Sequence, residues 1–164
     1  MLQIEDVLNS SPLVFPVLEC FHIAGFIVAI GTTAAVDFRL LDWGFRRQSP
    51  AQLATDVSPW MLGGLLVAIF SGMGLYSSDP DMYYLNWAFL IKMACLVLAL
   101  IFNYTIHRKV AQSAAHSATH GAAHSATQSD APPASAKIVA ALSLVLWASI
   151  IFGGIFIAFI NPGL

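Results

Sequence analysis

Long apolar runs separated by short polar segments dominate this chain. A helix needs roughly 20 apolar residues to cross the hydrocarbon core of a bilayer. Four runs reach or approach that length: about residues 13–36, 59–76, 84–107 and 137–160. Lipid offers backbone groups no hydrogen-bond partner, so each run is expected to be helical throughout. Ser11 and Pro12 are placed to start the first helix, and Ser58 and Pro59 the second. Asn161, Pro162 and Gly163 close the fourth. Two shorter segments have the pattern of helices lying along an interface: Leu2, Ile4, Val7 and Leu8 near the start, and residues 50–56 before the second run. The expected fold is all-α, an integral-membrane four-helix bundle forming one transmembrane domain over residues 1–164.

Basic residues orient the spans. Arg39, Arg46 and Arg47 follow the first run, Arg108 and Lys109 follow the third, and Lys137 precedes the fourth. The segment between the second and third runs, and both termini, carry no Lys or Arg. Both termini are therefore expected on the outer, periplasmic side of a bacterial inner membrane, with the Arg-containing loops in the cytoplasm. Trp43 and Trp60 suit the inner aromatic belt, and Tyr83, Tyr84 and Trp87 the outer one. No basic n-region precedes the first run, so Met1 is expected to be the mature start.

Composition agrees: 58% of residues are hydrophobic and 10% charged, where a soluble domain carries about 25% charged residues. No basic face suited to nucleic acid is present. No phosphate loop, HExxH or nucleophile elbow appears, which leaves hydrolase and transferase chemistry without a constellation.

Charges within a span are costly and usually functional. The first run holds Glu19 and His22, the third Lys92 and Asn103 with His107 at its end. At a rise of ~1.5 Å per residue, Glu19 and Lys92 both lie ~9 Å deep and His22 ~13 Å. An ion pair between Glu19 and Lys92 is expected, locking the first span to the third. His22 is the first choice for an axial ligand to haem b, because imidazole is a common haem ligand in helix bundles. His107 lies ~18 Å deeper than His22, so the two cannot easily share one iron. A second haem at His107, a thioether from Met73 or Met93, a neighbouring protomer, or a five-coordinate iron are the alternatives. His107 also suits a plain interfacial cap on its helix. Asp37 and Arg39 read as a polar flank with a snorkelling Arg. Arg39, Arg46, Arg108 or Lys92 are the candidates for a propionate or lipid phosphate.

The segment 110–136 reads as a flexible cytoplasmic loop. It repeats AAHSAT at 114–119 and 122–127, then passes through a Pro pair. His116, His120 and His124 recur every four residues, and a helix there would stack them for copper or zinc. Cys20, Cys95 and Met93 are further soft donors. The two cysteines otherwise read as small apolar residues and not as a disulfide framework.

Glu19-x-x-His22 with Gly25 and Gly31, the run Asp37–Phe38–Arg39–Leu40–Leu41, then Phe89, Lys92, Asn103, His107, Ala141–Leu142–Ser143 and Trp147 together carry a likeness. On these residues the chain resembles an uncharacterised family of small four-helix bacterial inner-membrane proteins. It departs at Gly153–Gly154–Ile155, where that family's pattern has Gly-Arg. The resemblance implies the topology and marks Glu19, His22, Lys92, Asn103 and His107 as residues that matter. More distantly the chain looks like four-helix b-type cytochromes, an analogy of fold alone. The expected function is accordingly haem b binding for electron transfer or for redox or gas sensing. Copper or zinc handling is one alternative, and a non-catalytic accessory subunit or small proton-coupled transporter is another. Besides the lipid bilayer, the expected partners are further copies of the chain and a redox partner. Four short spans leave little room to wrap a cofactor fully, which is why a homo-oligomer is expected.

Overall fold

A computed structural model describes residues 11–45, 47–110, 113, 133–157 and 159–160. The expected N-terminal interfacial helix, Arg46 and the three loop histidines lie outside these residues. The described chain is helical, with α1 at Val14–Leu40, α2 at Pro50–Ser78, α3 at Pro80–Tyr84, α4 at Trp87–Phe102 and α5 at Ala134–Phe156. A π-helical turn, Asn103–His107, continues α4 so that one span runs from Trp87 to Val110. Four helices, α1, α2, α5 and α4 with its extension, are long and apolar enough to cross a membrane.

The boundaries differ from the expected ones where polar residues misled. α1 begins two residues late, with Leu13 and not Ser11 at its N-cap, and runs on through Asp37 and Arg39. α2 begins at Pro50, capped by Ser49, whose hydroxyl accepts from Gln52 N at 3.1 Å. Residues 50–56 are thus the first turns of α2 and not a separate interfacial helix, and Pro59 lies inside it. An internal proline removes one backbone donor, a loss that membrane helices absorb readily.

The outward faces are apolar and the inward faces are mixed. Phe21, Ile27, Phe70, Val97, Ile138 and Phe152 are exposed, whereas Asp37, Asn86, Asn103, His107 and Ser143 are buried. This inversion suits a lipid solvent, where apolar surface gains little by hiding and polar groups must find partners inside. Close van der Waals approach then supplies much of the packing. α1 and α2 meet backbone to backbone: a β-carbon on Gly25 would stand 2.6 Å from Ala68 N and 2.7 Å from Gly64 O. A β-carbon on Gly64 would stand 2.7 Å from Gly25 O. α5 packs against both α4 and α1.

The middle of the bundle is an apolar layer of Ala29, Met61, Leu65, Leu96, Ala99, Trp147 and Ile150. A second apolar group, Val36, Leu40, Leu53, Ala136 and Ala140, closes the end that carries the arginines. The opposite end is fastened by Asn86. Its amide nitrogen donates to the carbonyls of Ile157 (3.0 Å) and Ile160 (2.7 Å), while its Oδ1 accepts from Ala88 N at 2.9 Å.

Candidate functional site

The buried face of α1 carries two polar stations, one on each side of the apolar layer. They are His22 and Asp37, fifteen positions apart, or about 22 Å along a helix.

Asp37 is fully buried. Its Oδ1 accepts a hydrogen bond from His107 Nε2 at 2.7 Å, and its Oδ2 accepts one from Ser143 Oγ at 2.8 Å. One carboxylate therefore ties α1 to the π-helical turn after α4 and to α5. Widened turns of this kind are frequent at functional sites, and here the turn holds Asn103 and His107, both buried. α2 joins through the next residues along: Arg108 Nη2 donates to Ser58 Oγ at 2.8 Å, and Asn103 Nδ2 faces Met61 Sδ at 3.7 Å. All four spans thus meet in one polar layer. A cavity of about 20 Å³ lies beside it, lined by Thr33 and Val36 of α1, Ala54, Val57, Ser58 and Met61 of α2, and Asn103, His107 and Arg108.

His107 is therefore neither an interfacial cap nor exposed: it is 3% accessible and its Nε2 is bonded to Asp37. Asp37 is likewise not a solvated flank. The depth arithmetic that set Glu19 beside Lys92 applies equally to Asp37, ~36 Å along the first span, and His107, ~31 Å along the third. The pairing was thus present in the sequence. Ser143 carried no such signal, because a serine in a span usually bonds back into its own helix.

The second station surrounds His22. Its Nδ1 donates to the Ala68 carbonyl at 2.7 Å. A carbonyl only accepts, so the ring proton sits on Nδ1 and Nε2 is left as a lone-pair nitrogen. Lys92 Nζ lies 3.3 Å from that Nε2 and 5.2 Å from the centre of the Phe26 ring. Phe26 stands edge-on to the imidazole at 4.9 Å. Glycines make the room. A β-carbon on Gly72 would meet His22 Cε1 at 2.8 Å, and one on Gly154 would meet Lys92 Nζ at 3.4 Å. His22 and Lys92 do share a level, as their depths predict.

Glu19 does not join them. It is exposed on the outer face of α1, and the ion pairs among the described residues are His107–Asp37 and Arg39–Asp42. The expected Glu19–Lys92 pair is absent because equal depth does not fix azimuth. His22 is turned toward α2 and Lys92, while Glu19, three residues earlier, is turned away. Its negative charge is felt instead at Tyr83, whose phenol is held above its ordinary value of 10.0 by burial, then by Glu19 and Asp79.

Met73 and Met93 are 61% and 40% exposed and turn outward. Cys20 is exposed and Cys95 half-buried. Among the described residues no three His, Cys, Asp or Glu side chains converge as a metal site. Arg39 is buried, its Nε donating to Gln48 O at 2.8 Å and its Nη1 standing 3.8 Å from Asp42 Oδ1. It braces the turn that follows α1 and does not snorkel. Sequence reasoning missed Asn86, Ser143 and Thr33 as interior polar groups.

No curated protein and no solved structure matches the chain. Residues 14–160, which include all four spans and both polar stations, match the family described as a family of unknown function (DUF6644), and the chain belongs to that family.

Proposed function

We propose that this chain is a multi-pass protein of the bacterial inner membrane that loads and unloads a proton at Asp37–His107–Ser143, as a small proton-coupled carrier. The observation that carries this reading is a fully buried carboxylate bonded at 2.7 Å to an imidazole. Ionisable side chains inside membrane bundles mark ion and proton paths, and imidazole is the side chain that changes charge most readily near neutral pH. The Asp37–His107 hydrogen bond holds one proton between Oδ1 and Nε2. Gain of a second proton changes the charge of the cluster, and Ser143 donates to whichever carboxylate oxygen faces it. The apolar layer above blocks a continuous wire of polar groups, which favours a carrier over a channel. The distribution of Lys and Arg supports an orientation with the Asp37 station nearer the cytoplasm and both ends of the chain outside.

Reconstitution tests this. Full-length protein in liposomes with a trapped pH-sensitive dye, under an imposed potassium diffusion potential, is expected to conduct protons above protein-free vesicles. Asp37→Asn and His107→Gln are expected to abolish that flux. Wild-type flux equal to that of empty vesicles, or variants as active as wild type, would overturn the reading.

A second reading, haem b at His22 for electron transfer or sensing, is favoured by one observation. The bond from Nδ1 to the Ala68 carbonyl fixes the tautomer a ligating imidazole needs. The donor fits, but the space within one protomer does not, because Lys92 faces Nε2 and Gly72 closes on the ring edge. Haem would therefore need a site between protomers, and a homo-oligomer belongs to this reading. An absorption spectrum of detergent-purified protein, expressed with iron and porphyrin supplied, separates the two. A Soret band that disappears in His22→Ala supports haem, and a colourless preparation ends it. Copper or zinc collection by His116, His120 and His124 is an independent proposal, tested by metal analysis before and after deletion of residues 113–128.

A further inference from the structure

We propose that the cavity beside His107 holds a single water molecule, which connects the Asp37–His107 pair to the Arg-bearing end of the bundle and not to the opposite end. This rests on the proton-loading reading of the same site and gives it a direction of access.

Size is the first reason. The cavity measures about 20 Å³, and one water needs roughly 10–15 Å³ by this measure. Polarity is the second, since a water is retained only where it finds two to four polar partners. His107 uses Nε2 on Asp37, and its Nδ1 makes no hydrogen bond among the described residues. Asn103 spends its Nδ2 on Met61 and keeps Oδ1 as an acceptor. Ser58 Oγ accepts from Arg108 and retains its own proton to donate. Thr33 donates to Ala29 O at 2.9 Å and keeps lone pairs. These four groups all line the cavity and together offer both donors and acceptors.

Charge is the third reason, because it selects a neutral occupant. The Arg108 guanidinium on the wall opposes a cation. Asp37, one imidazole ring away, opposes an anion. Direction follows from the neighbours. Met61, at the far side of the cavity, belongs to the apolar layer with Leu65, Leu96 and Trp147, which no water crosses cheaply. Ala54 and Arg108, at the near side, lie one turn inside the start of α2 and one residue past the π-helical turn.

Water-edited solid-state NMR of the full-length protein in bilayers, with 15N-labelled histidine, tests the proposal. Magnetisation from water is expected to reach the His107 ring far faster than the His22 ring. Ala54→Leu, whose added carbons fill the cavity from the α2 side and leave the Asp37 and His107 side chains themselves unaltered, is expected to slow transfer to His107 several-fold. The 15N shifts that report the Asp37–His107 hydrogen bond are expected to stay in place. Thr33→Val, which keeps shape and removes one hydroxyl, is expected to slow transfer less. A dry His107 in the wild type, or unchanged transfer in Ala54→Leu with the hydrogen bond intact, would overturn the inference. Loss of proton flux in Asp37→Asn with a dry His107 would sink the water and leave the carrier standing. A wet His107 without flux would do the reverse.

Discussion

Removing His107 leaves Asp37 as a buried carboxylate with Ser143 alone for company, and the size of that loss follows from the geometry. The 2.7 Å bond from Nε2 is a hydrogen bond to a charged group, a class worth about 1.5–3 kcal/mol. Breaking one partner of a buried pair costs about 3–5 kcal/mol, because the other charge is stranded. Asp37 escapes part of this by taking up a proton, and the Ser143 bond persists, so His107→Phe is expected to cost about 3 kcal/mol. Asp37→Leu is expected to cost less, since it leaves an imidazole and not a carboxylate behind in the interior. The double variant should recover most of the loss, because apolar groups of similar volume in place of a buried pair are often close to neutral. Equilibrium unfolding in mixed micelles, titrated with SDS and followed by circular dichroism, reads all four corners of the cycle. A His107→Phe variant within about 0.5 kcal/mol of wild type would show that the pair does not hold the bundle. A double variant at the sum of the two singles would show that the residues are not coupled.

Further outcomes are expected for two glycines and for Tyr83. Gly25→Ala should destabilise the bundle by about 1–3 kcal/mol in the same assay, since its β-carbon meets the backbone of Ala68 and Gly64, which cannot move aside as a side chain would. Gly31→Ala, with nothing within 4 Å, is the control and should be neutral within about 0.5 kcal/mol. Tyr83 should ionise above the ordinary phenol value in an ultraviolet titration, as the difference between wild type and Tyr83→Phe, and Glu19→Gln should bring it down. The sign is that of an acid whose folded state favours the protonated form. The stabilisation it lends is present at neutral pH and is lost as pH rises past the unfolded value of about 10.

The sequence by itself determined the four spans. Apolar length and the demand that every backbone group be satisfied in lipid leave no other structure for such runs. It also determined the depths of the polar residues, because a helix advances by a fixed rise, and so His22 and Lys92 do meet at one level. Depth is one coordinate only. The rotation of each helix about its axis decided which equal-depth residues touch. It took Glu19 outward and left Lys92 to His22, and it set Ser143 against Asp37. That rotation depends on contacts no single segment encodes: the glycine backbones that let α1 and α2 close, and the widened turn that holds Asn103 and His107 inside. The carboxylate of Asp37, read from the chain as a solvated flank, became the interior junction of three helices because its partners come from positions 70 and 106 residues away.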